Sequence, residues 1–319
     1  LSFYKKGAWA LHTLREDIGA KNFQKIVKKY LKKHQYKNVI TDEFLAEVKK
    51  VVKTFDAENF KKTWLETSGF DMVLAESYLV KNKSVAAYIQ LTKEKKDLEN
   101  YKAILESETY FPIKQYIFYK LANTPFEDKK ELIEIGMKQN LYVRQAIAET
   151  VTKIPVEFKS QYETFLDDAS YNTKEIALIN LCKNFPEDKK NYLMKTKNII
   201  GNNDKSFRIS WLSLDFLSDD DGYEKYLILQ ELLDFSSERY ESSIRQNALE
   251  VLLKLAPDDY FVIASLFRAT THHKWQFTKF LRDIIREKLK NSEFRNRVEE
   301  LAKTADEKTA ALYMKFLKE

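Results

Sequence analysis

Apolar residues recur along this chain at steps of three and four, the spacing of a helix with one buried side. Tyr4, Ala8, Leu11, Leu14 and Ile18 set the first such stripe, which predicts a helix with one face committed to an interior and Tyr4 at its leading edge. Phe23, Ile26, Val27, Tyr30 and Leu31 set a second. A third helix is expected to start at Thr41 as N-cap, with Asp42 and Glu43 where the helix dipole favours negative charge, and to bury Phe44, Leu45, Val48 and Val52. Asp56 is expected to cap a fourth helix carrying Phe60 and Trp64. Gly69 ends this block, so the pattern divides the chain into residues 1–69 and 70–319.

From Phe70 to Leu105 no strand-like alternation occurs, and the stretch reads as helices separated by Asn82-Lys83-Ser84. From Pro112 the chain repeats itself. Lys114-Gln115 with Ile117, Leu121 and Pro125 stands 30 residues ahead of Arg144-Gln145 with Ile147, Val151 and Pro155. The unit, a basic residue at a helix start and a proline about a dozen residues later, returns as Lys174 to Pro186 and Arg245 to Pro257. Arg208 and Lys274 mark two degenerate copies without the proline. A helix pair of this kind cannot bury its apolar face alone and must stack on its neighbours, which resembles a HEAT or armadillo solenoid. The stripe Ile147, Leu178, Trp211, Leu249 and Phe280 should lie between the layers.

Composition narrows the class to all-α. Six Gly and five Pro in 319 residues leave too few turn signals for a β-sandwich, while 44% hydrophobic residues suffice for a large core. The single Cys182 excludes an internal disulfide and reads as a small core residue; the compartment stays open between cytoplasm and periplasm. No apolar run has the length needed to span a membrane. The net charge of +6 is spread along the chain. Its densest basic run, Lys25 to His34, alternates with apolar residues and reads as a solvated helix face, with nucleic acid or anionic lipid as the alternative contacts.

Candidate chemistry is sparse. The four histidines, His12, His34, His272 and His273, include no pair at i and i+4, and no HExxH is present. Adjacent His272 and His273 point about 100° apart on a helix and cannot share a metal by themselves. His12 and Glu16 lie one turn apart and read as a surface contact. Asp219-Asp220-Asp221-Gly222 fails as a calcium loop, since its first and last ligand positions would be Leu217 and Ile228.

Tyr4-Lys5-Lys6-Gly7, then Leu14-Arg15, then Tyr30, Lys33, Tyr36, Asn38, Thr41 and Phe44, then Trp64-Leu65 and Gly69-Phe70, give a pattern held in register over roughly the first 70 residues. It resembles the segment after the zinc site in the aminopeptidase N family of gluzincin metallopeptidases. The resemblance implies that the chain is the C-terminal portion of a zinc aminopeptidase, starting in the helical tail of a thermolysin-like peptidase domain. It gives Tyr4 the role of hydrogen-bond donor to the oxyanion of the tetrahedral intermediate. Gly7 would allow a close helix approach; Lys6 has no role that spacing suggests. The helical run after Phe70 is closer to the short branch, which includes the leukotriene hydrolase type and aminopeptidase B. That branch uses basic residues of its helical domain for the peptide's C-terminal carboxylate, which makes Arg208, Arg245 and Lys274 candidates; Gln276 stands where the branch has a lysine. Zinc is expected in the full-length protein and not in this chain. The expected partners are peptide substrates and the N-terminal catalytic region of the same polypeptide, with no nucleic acid and no membrane span. The alternative is a helical-repeat protein-binding module without catalysis.

Overall fold

The computed structural model describes residues 3–93, 97–218 and 222–319. Among them every regular element is helical and no strand occurs. Two compact units form, Leu1–Asp97 and Leu98–Glu319. The hydrophobic pattern puts a boundary at Gly69; the contacts group the helices that follow it, as far as Asp97, with the first unit.

In the first unit α1 (Phe3–Ile18) and α2 (Ala20–His34) are joined at Gly19, whose φ of 80° lies in the left-handed region that a side chain disfavours. α3 (Thr41–Val51) follows, then α4 (Ala57–Phe60), continued by a π-helical stretch Lys61–Glu66, α5 (Met72–Leu79) and α6 (Lys83–Lys93). Asp56 caps α4 as expected, its Oδ1 accepting from the Asn59 N–H at 3.0 Å. Thr41 is not the cap of α3: Ile40 occupies that position, and the Glu43 carboxylate reaches back to the Ile40 N–H at 2.9 Å. Asn82 caps α6 by accepting from Ser84 and Val85. The core is Leu14, Ile18, Ile26, Leu45, Val48, Phe60, Trp64 and Ala75, so α5 closes it. Trp64 meets Phe70 and Tyr78 edge-on or tilted, and the Tyr78 hydroxyl donates to Asp17 at 3.0 Å.

The second unit runs α7 (Leu98–Glu106), α8 (Phe111–Lys120), α9 (Phe126–Met137), α10 (Leu141–Thr150), α11 (Lys159–Glu163), α12 (Tyr171–Asn184), α13 (Lys189–Thr196), α14 (Ser206–Phe216), α15 (Gly222–Phe235), α16 (Ser242–Leu255), α17 (Tyr260–Ala269), α18 (Trp275–Lys288), α19 (Ser292–Thr304) and α20 (Glu307–Leu317). α8, α10, α12, α14 and α16 pack side by side in chain order, each on the next. α9 packs on α7 and α10, α13 on α12 and α14, α15 on α14 and α16, α17 on α16 and α18, and α19 pairs with α20 at the end. Pro125, Pro155, Pro186 and Pro257 stand in the connections after α8, α10, α12 and α16, where a missing N–H costs no helical bond. Ile147, Leu178, Trp211 and Leu249 are buried along the row, as their spacing predicts. Phe280 is only half-buried; Phe277 and Leu281 take the interior of α18, because those positions fall on the face turned to α17. A buried polar cluster fixes α12 to α10: the Tyr162 hydroxyl donates to the Ala148 carbonyl at 2.8 Å and accepts from Asn180 Nδ2 at 2.8 Å.

Candidate functional site

Tyr4 lies in the first turn of α1 and is 86% exposed. Ala8 and Leu11 share its face and are exposed too. The expected interior stripe is therefore corrected: burial follows Ala10, Leu14 and Ile18, with Thr13 beside them. Positions 10, 14 and 18 are one turn apart, and they form the side of α1 that joins the core with Phe60 and Trp64. Tyr4, Ala8 and Leu11 are the solvent side.

Two neighbours of Tyr4 differ from what spacing suggested. The Lys6 ammonium donates to the Thr67 carbonyl, tying the first turn of α1 to the residue that ends the Lys61–Glu66 turn. That bond spans 61 residues, so no local pattern could have announced it. At Gly7 an added Cβ would meet no atom within 4 Å, so the close approach expected there is not made by the described residues.

The histidines do not assemble a metal centre. His12 packs edge-on against Trp9 at 5.8 Å, and Glu16 takes Arg15 at 2.6 Å rather than His12. His34 lies against Tyr30. His272 and His273 stack at 4.2 Å, and His272 Nδ1 accepts from the Lys274 N–H at 3.0 Å at the start of α18. Burial, and then the charges of His273, Arg245 and Lys274, hold His272 below the usual imidazole range. Among the described residues no three His, Cys, Asp or Glu side chains converge as ligands. The described residues therefore offer no ligand set for a catalytic zinc, which takes about three protein ligands. Asp219, Asp220 and Asp221 lie outside the described residues. Cys182 is buried, which pushes its thiol up to about 11, a poor nucleophile at neutral pH.

Four of the six repeated basic residues share one geometry. Each of Lys114, Arg144, Arg208 and Arg245 sits in the first turn of its helix and donates back to a carbonyl at the end of the helix before. The acceptors are Leu105 at 2.8 Å, Gln139 at 2.6 Å, Lys197 at 3.1 Å and Ser236 at 3.1 Å. A cation at the carbonyl end of a helix satisfies orphan acceptors and meets the negative pole of its dipole. Lys174 instead lies over the Tyr171 ring at 5.5 Å.

Of the three sequence candidates, Arg245 is buried, donates to Ser236 and stacks on Phe277. Arg208 forms a two-pronged pair with Glu231, both bonds 2.7 Å, and lies over the Trp211 ring at 4.6 Å. Lys274 is exposed and donates to Ser242 Oγ at 3.0 Å. The described contacts bring Arg245 and Lys274 into one neighbourhood through His272, whereas Arg208 stands in another. There a groove of about 950 Å³ opens between α13 and α15 over α14, lined by Leu193, Met194, Lys197, Arg208, Trp211 and Ile228. Sequence spacing did not signal it, because its walls come from α13 and α15, which are not consecutive in the chain.

The helix bearing Tyr4 carries the comparison that bears most on function. Residues 1–64 match the peptidase family M1 domain. Aminopeptidase N of Lactococcus lactis subsp. lactis is 36% identical over 73 residues, which cover 23% of this chain and 8% of that enzyme. No solved structure matches. The family match covers the part of the chain that holds Tyr4. Tyr4 stands on the exposed side of α1, and a phenol is a neutral hydrogen-bond donor at pH 7.

Proposed function

We propose that this chain is the C-terminal part of a zinc-dependent M1 aminopeptidase that removes N-terminal residues from peptides. The observation that carries the proposal is the peptidase family M1 match over residues 1–64, with Tyr4-Lys5-Lys6-Gly7 inside it. Tyr4 donates its phenolic hydrogen bond to the oxyanion of the tetrahedral intermediate, a neutral donor aimed where negative charge develops. Lys6 holds the helix bearing it against Thr67. The zinc ligands and the general base belong to an N-terminal catalytic region of the same polypeptide, outside these 319 residues. Residues from Leu98 onward are a HEAT/armadillo-like superhelix, a reading that the side-by-side row α8 to α16 supports; its role of capping the active site is taken from the short branch of the family. Lys274 meets the carboxylate end of longer peptides, with Arg245 holding its neighbours in place, while Arg208 is held by Glu231.

A second reading, a protein-binding module without catalysis, draws on the groove at Trp211, lined by apolar and charged side chains and far along the chain from the matched stretch. One experiment separates the two. The complete protein should release N-terminal residues from peptides in a chelator-sensitive, zinc-restored reaction; peptide binding without hydrolysis would leave only the second reading.

A further inference from the structure

We propose that the lysine face of α2 docks onto an anionic phospholipid surface. Residues 20–54 hold ten lysines against three acids, so this short stretch alone exceeds the whole chain's net charge of +6. α2 itself contains no Asp or Glu. At about 100° per residue, Lys21, Lys25, Lys28, Lys29 and Lys32 fall within an arc of about 100°. The core residue Ile26 and its flanking Phe23, Tyr30 and His34 occupy the opposite side. All five lysines are exposed, and none makes an ion pair or hydrogen bond through its side chain among the described residues. Elsewhere in the same unit lysines find acids: Lys33 and Lys50 share Glu47, Lys61 takes Asp42, and Lys93 takes Glu76.

A positive face alone would suit any polyanion. The neighbouring apolar groups select a membrane. Between the lysine arc and the core side runs a strip of Ala20, Val27 and Leu31, with Leu31 62% exposed. Beyond the helix end Tyr36 is fully exposed at a positive φ of 61°, and Ile40 also faces solvent. A concavity of about 570 Å³ lies along this edge, with Arg15, Lys21 and Lys28 around Phe23 and Val27. Cations beside exposed aliphatic and aromatic groups match the layering of a bilayer interface, with headgroup phosphates outside and acyl chains within. Nucleic acid, read through phosphates and stacked bases, gives Leu31 and Ile40 nothing to do. No helix among the described residues is long and apolar enough to cross a membrane, so the contact is a surface one.

The test is co-sedimentation of the 319-residue chain with vesicles of phosphatidylcholine alone or with about one third phosphatidylglycerol. Binding should require the anionic lipid and fall steeply between about 0.1 M and about 1 M salt, as the Debye length shortens from about 10 Å to about 3 Å. Replacing Lys25, Lys28, Lys29 and Lys32 by Gln should weaken it by about two orders of magnitude. The same loss of charge at Lys183, Lys254, Lys303 and Lys318 should leave it nearly unchanged. Leu31→Ser should weaken binding without altering its salt dependence. Circular dichroism of each variant confirms the fold, which these exposed side chains do not support. Equal binding to neutral vesicles, equal losses in both lysine quartets, or tighter binding to a duplex oligonucleotide than to the anionic vesicles would overturn the proposal.

Discussion

Gly136 in α9 offers a direct probe of how closely the helices of the second unit are set. A methyl group there would lie 2.5 Å from Cζ of Phe118 on α8 and 2.7 Å from Cδ1 of Ile147 on α10, both buried. Neither atom can move into solvent. Overpacking of this kind costs about 1–3 kcal/mol. Against it stands the better helix propensity of alanine, worth at most about 1 kcal/mol and less near a helix end. Gly136→Ala should therefore destabilise the chain by about 1–2 kcal/mol, read as a lower urea midpoint at unchanged slope in far-UV circular dichroism. In a Phe118→Leu background, where the ring is gone, the same change should cost at least about 0.5 kcal/mol less. A Gly136→Ala chain more stable than its parent would show that only propensity acts and that α8, α9 and α10 are not packed as described.

Leu249 is buried on α16, and Leu249→Ala should cost about 2–5 kcal/mol in the same assay; a loss below 1 kcal/mol, about the cost of an exposed site, would put it outside the row's core. Hydrogen bonds from Lys33 and Lys50 pull Glu47 from its ordinary 4.5 down to about 2. A carboxyl depressed on folding stabilises above its unfolded pKa, so this contribution is present at neutral pH and is lost as pH falls from about 4.5 towards about 2. Glu47→Gln should flatten the urea midpoint against pH in that window, and an unaltered slope would count against the Lys33–Glu47–Lys50 cluster.

The helices were legible because burial on one side imposes a period that composition cannot hide. Ile147, Leu178, Trp211 and Leu249 were readable as interior from spacing alone. Tyr4, Ala8 and Leu11 were not, since an apolar stripe records a tendency to be covered without saying by what. Phe280 failed for a finer reason: α18 carries apolar residues at 277, 280 and 281, and only tertiary contact decides which two turn inward. The repeated cations were visible as a motif, but their acceptors are backbone carbonyls, which every residue has and no sequence marks. Lys6 and the groove at Trp211 depend on segments far apart in the chain and left no local trace.

Catalysis in the proposed enzyme turns on the Tyr4 hydroxyl. In the complete protein Tyr4→Phe keeps the ring and removes the donor, and α1 does not rely on that exposed group for its packing. Turnover of an aminoacyl anilide should fall by about a hundred- to thousandfold, with zinc content and folding unchanged. Near-normal turnover in that variant would contradict the assignment of Tyr4.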